Sequence, residues 1–469
     1  MYPKIEIPIP NELKRLALLF KQAGHTLYAV GGLIRNSLLG LPFTDVDICS
    51  SMRPDDVVSL CRENSLNVVL KGIAFGMVEI HIGDKAFEHT TFRADTYCEG
   101  GAPRPSSVRF SDTLYEDAFR RDFSVNALYA DILTGEIFDP TGGIDDLNRR
   151  LLRTTSEDPE TVLKDDGLRI MRLVRFASEL SFDIEENTLK AAKKLAGNLK
   201  DISGERIRDE LNKILLCDIK YGKQDKNKVY KALTLFRDTG AMQVILPELY
   251  AGAGILQKPA YHKYDVLDHS LHTASECRAE LTMRLSGLLH DVGKSSVYKR
   301  TGRMYGHELA GADISREILY SLHYDTGTIN EAVFLIRNHM YDINNTAKDS
   351  TLRKTFVRFG YERSLALADM READVHGSGI IKGAVDSAER WRTLLKKMRA
   401  ENVPFSENEL KCTGQDIMEW LSIKPCKRVG EIKHALLMHC ALFPADNTKE
   451  KLRKTTEDLQ KSIEKHKKT

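Results

Sequence analysis

The sequence predicts an α+β protein, a small mixed sheet domain followed by a long all-helical body. Two observations carry this reading. Short apolar or alternating runs punctuated by Gly crowd into the first ~150 residues. From about residue 160 the apolar residues recur at helical spacing and the strand signals thin out.

Residues 11–24 read as an amphipathic helix, and HTLYAVGG as a short apolar strand running into paired glycines. LIRNSLLGL is a helical turn or two, and FTDVDICSS a second strand of alternating polarity. NVVLKGIAFGMVEIHIGDKAFEHTTFR supplies three more short strands. The stretch 91–117, rich in Gly, Pro, Ser and charge, reads as a mobile loop. KDDGLRIMRLVRFASEL opens the helical region, and 186–197, 204–217, 228–240, 266–279, 282–290, 308–322, 328–339 and 381–399 follow as helices. The Lys-rich tail NTKEKLRKTTEDLQKSIEKHKKT is a charged helix, either a solvated surface or an RNA-backbone contact. Soft boundaries fall near 219–228 and 253–263, and no internal repeat is evident.

With 42% hydrophobic and 29% charged residues in a chain of 469, composition is that of a globular protein of about three domains. Net charge is only +2, so a polyanion site has to come from local basic patches. No run approaches the ~18 apolar residues of a membrane span, and the N-terminus lacks the pattern of a signal peptide. Eight scattered cysteines without a C-x-x-C pair suit buried free thiols in the cytoplasm. Nothing marks a stable protein partner.

Asp45 and Asp47 stand two apart on the second predicted strand, so their side chains share a face. Paired carboxylates repel unless a cation lies between them, and Mg²⁺ suits such oxygen ligands together with substrate phosphates. Alone, a D-x-D is weak evidence. Upstream, Gly31 and Gly32 separate a strand from the helix bearing Arg35. Glycines admit a ligand close to the backbone, a helix N-terminus favours phosphate, and Arg35 adds a charge-assisted bond.

Together, GGLIRNSLLGLPFTDVDI resembles the first motif of the DNA polymerase β-like nucleotidyltransferases. Within that superfamily it is most similar to the bacterial and eukaryotic (class II) tRNA nucleotidyltransferases and their poly(A) polymerase relatives. RRDFSVNAL resembles the second motif, which implies that Arg121 and Asp122 contact the ribose and that Asn126 supports the site. DPTGGIDDLNRRLLR (139–153) resembles the hinge motif, and ERIRDELNKIL (205–215) the motif that braces the neck helices. One departure is Asn36, where the family usually has Asp. Glu88, on the strand before TTFR, is a candidate third carboxylate.

The family pattern Glu-Asp-x-x-Arg stands here as Asp165-Asp166-x-x-Arg169. Asp166 and Arg169, three apart on a predicted helix, share a face. A surface salt bridge is the simple reading. The functional one follows from hydrogen-bonding inventories. Cytosine and adenine both present an amino donor beside a ring-nitrogen acceptor, whereas guanine and uracil present the reverse. A carboxylate only accepts and a guanidinium only donates, so the pair admits C or A and rejects G or U without a template. Arg172 and Arg175 continue the helix, facing triphosphate or RNA, or simply charging the helix surface. In the family, a flexible loop between the first two motifs accompanies the switch from C to A addition. The segment 91–117 therefore argues for full CCA addition or for an A-adding enzyme. The basic motif of the poly(A) polymerases is missing from VVLKGIAFGMVEIHIG.

LSGLLHDVGK (285–294), preceded by DVLDHSLH and followed by further His and Asp, resembles the HD phosphohydrolase superfamily, an all-helical metal-binding fold. The resemblance implies His269, His290 and Asp291 as ligands of a divalent transition metal, with Asp374 as the fourth and Asp369 its rival. His307 and His339 fall where ligands of a second metal occur, while His262 and His272 read as surface residues. Such domains hydrolyse phosphate esters or 2′,3′-cyclic phosphates, or are degenerate and only bind the tRNA body. Segment 410–437 resembles the family's tail but has Cys426 in place of the usual Gly.

The implied architecture is a polymerase β-like head (1–150), a helical neck that selects the base (151–255), an HD body (256–380) and a helical tail (381–469). The implied activity is addition of CCA to the tRNA 3′ end from CTP and ATP with Mg²⁺. Three rivals stand beside it: an A-adding or poly(A)-adding relative, an HD phosphohydrolase with a nucleotide-binding head, and a non-catalytic RNA-binding module. The intact set of Asp45, Asp47, Arg121 and Asp122 argues against the last two.

Overall fold

The computed structural model describes residues 9–43, 46–96 and 107–466. The chain divides into two compact units, Met1–Tyr250 with Ser321–Tyr324, and Ala251–Tyr320 with Asp325–Thr469.

The first unit carries the sheet. Its strands are β1 Tyr28–Val30, β2 Asp47–Ser50, β3 Asn67–Val69, β4 Met77–Ile82 and β5 Lys85–Thr91, then β6 Arg93–Thr96, β7 Ser107–Phe110, β8 Tyr129–Asp131 and β9 Ile137–Phe138. Seven of them form one mixed sheet in the order β3-β4-β5-β2-β1-β8-β9. β2 runs antiparallel to β1 and parallel to β5. This central position holds the start of β2 between two neighbouring strands. Val30, Cys49, Phe92, Ala118, Ala127 and Tyr129 pack into a core cluster of this unit.

The described flanks of the expected loop 91–117 are regular. β6 and β7 pair antiparallel, and Leu114–Phe119 is a helix. The Gly and Pro that dominate the composition fall in 97–106, outside the described residues; the flanks RADT and SVRF can still pair as strands. The Pro54–Glu63 helix, with Pro54 in its first turn, was not expected from the sequence.

A second difference lies at KDDGLRIMRLVRF. This is two helices rather than one, Pro159–Asp165 and Leu168–Leu180, with Asp166 extended between them. Gly167 makes the close approach possible, because a Cβ there would lie 2.9 Å from the Asn198 carbonyl oxygen. Apolar periodicity is blind to such a change of axis. The helix after the break packs on Gly204–Leu215 and Lys226–Asp238, so 219–228 is a connection inside this unit.

Arg175 joins two of these helices. Its Nε lies 2.5 Å from Glu210 and its Nη1 3.4 Å from Glu179, and both carboxylates are buried. Removing one partner of a buried pair strands the other charge. Glu210→Ala is therefore expected to destabilise the protein by about 3 kcal/mol in urea unfolding. A loss below about 1 kcal/mol would show the pair to be effectively solvated.

The second unit is helical. Its core gathers Phe356, Leu367, Trp391, Leu395, Leu436 and Leu452. The expected helices appear within a few residues of their predicted bounds, as Val266–Glu276, Leu281–Leu289, His307–Ser321 and Thr326–Asn338, with Asp386–Ala400 starting latest. The tail forms the Lys449–His466 helix. No helix among the described residues is long and apolar enough to cross a membrane. Among the described residues seven cysteines form no disulfide, and all but Cys426 are buried.

Candidate active site and metal centre

In the first unit the site assembles at the start of β2. Asp47 is exposed and pairs in register with Val30 of β1 and Glu88 of β5. Two carboxylates therefore sit side by side on adjacent strands. Glu88 titrates above the usual carboxylate range, first because it is partly buried and then because Asp47 is charged beside it. This crowding of negative charge is the environment a divalent cation relieves. Asp45, the other predicted ligand, lies outside the described residues.

The Gly31-Gly32 turn follows Val30 and opens the Gly32–Leu39 helix. Arg35 of that helix is buried. Its guanidinium donates to Asn126 at 2.5 Å, to Asn36 at 2.9 and 3.0 Å, and to the Tyr221 hydroxyl at 3.3 Å. Asn36 in turn donates to the Pro42 carbonyl at 2.8 Å and to Tyr221 at 3.2 Å. Where the family has Asp, this chain thus has a residue that both accepts and donates. Tyr221 carried no sequence signal, because it sits in a polar connection between helices.

Arg121 and Asp122 are adjacent but serve separate networks. Arg121 donates to Asp117 at 3.2 Å and to the Tyr129 hydroxyl at 2.9 Å, and Tyr129 donates to Asp117 at 2.7 Å. Asp122 accepts from Arg172 at 2.6 and 2.8 Å and from Asn126 at 3.2 Å. Arg172, expected to face triphosphate or RNA or simply to charge the helix surface, thus reaches back to the second motif, and Arg175 is committed to Glu210 as described. Asp117, which sequence reading missed, is the buried counter-charge of both Arg120 and Arg121. Its only signal was its place three and four residues before the arginine doublet.

Burial opposes ionisation of Asp117 and Asp122. Arg120 and Arg121 overcome it for the first, Arg172 and Arg169 for the second, and both carboxyls are held down to about 2. A carboxyl depressed in the folded state contributes stability above its unfolded pKa, and that stability is lost as pH falls through the folded value. Unfolding free energy is therefore expected to drop by about 2 kcal/mol per carboxyl between about pH 4 and 2. The Asp122→Asn variant should show a shallower decline than wild type over that window, and parallel curves would refute the assignment.

The side chains of Asp166 and Arg169 reach separate partners, and the Arg169 backbone amide donates to the Asp166 carbonyl at 2.9 Å. Asp166 accepts from Arg206 at 2.8 Å and from the Leu168 amide at 3.0 Å. Arg169 donates to the carbonyls of Val162 at 2.8 Å and Arg120 at 2.6 Å, and lies 3.9 Å from Asp165. The expected shared helical face is lost because the chain turns at Gly167. Arg206, unrecognised in the sequence, orients the Asp166 carboxylate, while backbone carbonyls orient Arg169.

In the second unit three imidazoles are oriented alike. His290, His307 and His339 each direct Nδ1 to a backbone carbonyl, of Gly287 at 2.9 Å, Met304 at 2.7 Å and Ile336 at 2.6 Å. This points each Nε2 inward, where its lone pair would serve a bound ion. Nε2 of His269 lies 3.1 Å from Nε2 of His290, 3.1 Å from Asp374 and 3.4 Å from Asp291. His290 Nε2 lies 3.2 Å from Asp291 and 3.4 Å from Asp374. Ligands about 2.1 Å from one ion are separated by about 3.0 Å in an octahedron and about 3.4 Å in a tetrahedron, so these edges fit a coordination shell. The other Asp291 oxygen lies 3.1 Å from His307 and 3.7 Å from His339, whose Nε2 atoms are 3.2 Å apart. Two three-residue groups, His269-His290-Asp374 and Asp291-His307-His339, therefore abut through Asp291.

Burial opposes charge on His290, yet Asp291 and Asp374 hold its ring proton up to about 10, a field that would equally draw a cation. Asp369 is turned away and pairs with Arg278 and with Arg392 at 2.7 Å. His262 corrects the surface reading, since it is only partly exposed and its ring centroid lies 4.7 Å from that of His269. His272 stacks on Tyr264 at 4.1 Å. Gly293 lets the ligand-bearing helices meet, as a Cβ there would lie 2.3 Å from the His307 carbonyl oxygen. Lys294 bonds Asp291 at 2.5 Å and Gln257 at 2.7 Å.

Three family models match the chain in order: the poly(A) polymerase head domain over residues 27–153, the probable RNA and SrmB-binding site of polymerase A over 181–251, and the HD domain over 261–375. The A-adding tRNA nucleotidyltransferase of Deinococcus radiodurans is 31% identical over 428 residues, 87% of this chain and 89% of that protein. The CCA-adding enzyme of Ligilactobacillus salivarius is 31% identical over 436 residues, 91% of this chain and 92% of that one. The chain belongs to the tRNA nucleotidyltransferase family. The crystal structure of the Bacillus stearothermophilus CCA-adding enzyme in complex with CTP covers 98% of this tRNA nucleotidyltransferase family member at a TM-score of 0.73 and 27% identity. The α+β architecture expected from the sequence is therefore that of the tRNA nucleotidyltransferases.

Proposed function

We propose that this family member completes the CCA terminus of tRNA from CTP and ATP. The observation that carries the reading is the likeness, over nearly the whole chain, to a CCA-adding enzyme solved with CTP. The tRNA 3′-hydroxyl attacks the α-phosphate in line, forming a phosphodiester and releasing pyrophosphate. Asp45, Asp47 and Glu88 would hold Mg²⁺, which supplies activation of the hydroxyl and charge neutralisation at the leaving group. Asp166, braced by Arg206, accepts from the exocyclic amino group of C or A. Arg169, held by the Val162 and Arg120 carbonyls, donates to the ring nitrogen. Gly32 and Arg35 flank the triphosphate, and Asn126 ties Arg35 to Asp122. The four-part division into head, neck, HD body and tail, and a cytoplasmic location, belong to the same reading.

The test is incorporation of labelled CTP and ATP, alone and together, into tRNA transcripts ending in the discriminator base, in C and in CC. Growth by three nucleotides that requires both substrates is expected. Extension of the CC-ending acceptor alone would make it an A-adding enzyme, the alternative favoured by the equally similar Deinococcus relative. No extension of any acceptor would overturn the reading.

A second activity is favoured by the two ligand groups that abut through Asp291. With imidazole and carboxylate donors, the centre suits a pair of divalent transition metals. The corresponding chemistry is hydrolysis of phosphate monoesters or 2′,3′-cyclic phosphates at RNA ends.

A further inference from the structure

Two segments wall the His/Asp centre, and both have an unusual composition. Residues 254–264 and 292–306 contain six Lys or Arg and no Asp or Glu. Both are tied to the centre by observed contacts. Gln257 accepts from Lys294, and the His262 ring lies against His269. The Met304 carbonyl accepts from His307. On these same segments Tyr261 is 67% and Tyr305 82% exposed, which is far more than packing would leave to aromatic rings. Tyr261 adjoins His262, and Tyr305 adjoins Met304. Tyr298, exposed by 46%, follows Lys294 by one helical turn and so shares its face. Lys258, Lys299, Arg300 and Arg303 are exposed, and none forms an ion pair with a described carboxylate.

Exposed π-faces interleaved with unneutralised cations are what a single strand of nucleic acid requires. Bases stack on the rings while the phosphates track the positive charge. A protein interface also uses Tyr and Arg but is depleted in Lys, and two of these four exposed cations are lysines. We infer that the rim of the His/Asp centre is a binding surface for a single-stranded RNA end, with bases on Tyr261 and Tyr305 and backbone phosphates on Arg300 and Arg303. The inference deepens the phosphohydrolase reading by naming the residues that hold the strand leading to the reacting RNA end, and to that extent it rests on that reading.

The test uses the full chain with Mn²⁺, a short single-stranded RNA bearing a 3′-phosphate, and the Tyr305→Trp substitution. Base stacking is expected to quench the added fluorescence on titration with RNA, after subtraction of the unsubstituted protein's signal. Adding Arg300→Ala and Arg303→Ala should raise the half-saturation concentration about tenfold and flatten the log–log salt slope by about 1.4, or ~0.7 for each lost phosphate contact. No RNA-dependent change in the Tyr305→Trp protein, or a salt slope unaltered by the arginine substitutions, would overturn the assignment. Hydrolysis of p-nitrophenyl phosphate by the unaltered protein reports the metal centre separately. Quenching without hydrolysis supports the strand site and removes the hydrolase; hydrolysis without quenching removes the strand site alone.

Discussion

Asp47→Asn is expected to lower CTP and ATP incorporation by about three orders of magnitude, the equivalent of roughly 4 kcal/mol of transition-state stabilisation. The substitution keeps the shape of the side chain and replaces a charged ligand oxygen with a neutral one. Because Asp47 is exposed at the first position of β2, little stability should change, within about 0.5 kcal/mol. Relief of the like-charge contact with Glu88 even acts in favour of the fold. The expected signature is thus lost incorporation with an unaltered urea midpoint and unaltered metal content in the second unit. Incorporation within tenfold of wild type would show that Asp47 is not a metal ligand and would move the reaction centre elsewhere on the sheet.

Asp291→Ala is expected to empty both halves of the His/Asp centre at once. One oxygen serves His269 and His290, the other His307 and His339, and Asp374 alone would remain as a charged ligand. Bound transition metal, measured by elemental analysis after desalting, should fall from about two ions per chain to well under one. His339→Ala, by contrast, should cost about one ion, since it belongs to one group only. Addition of nucleotides to tRNA should survive both substitutions, because it uses side chains of the first unit. Metal content unchanged in the Asp291→Ala protein would refute the centre.

Local signals carried much of this protein into view. Helical spacing located five helices of the second unit and its tail helix, though not Gly293–Thr301, Asp349–Phe359 or Tyr361–Gly377, and apolar or alternating runs located β1 to β5, because both patterns are set by residues within one or two turns or pleats of each other. The D-x-D, the Gly pair and the His-Asp doublet were legible for a similar reason, since each packs several chemical groups into a short window. Gly167 misled because one residue with a steric role outweighs a dozen with the right period, and only the Asn198 carbonyl beside it shows why.

By itself the sequence determined the order of the parts, the class of fold and the residue types available for chemistry. Tertiary structure decided which of them meet. Glu88 became the neighbour of Asp47 through the parallel register of β5 on β2. Asp374 rather than Asp369 reached the His/Asp centre because five residues along a helix turn a side chain through about 140°, away from Arg278 and Arg392. Arg206 found Asp166, and Tyr221 found Arg35, across 40 and 186 residues of chain. Strand register and the azimuth of a helix are set by packing between distant segments, and no local window of residues contains that information.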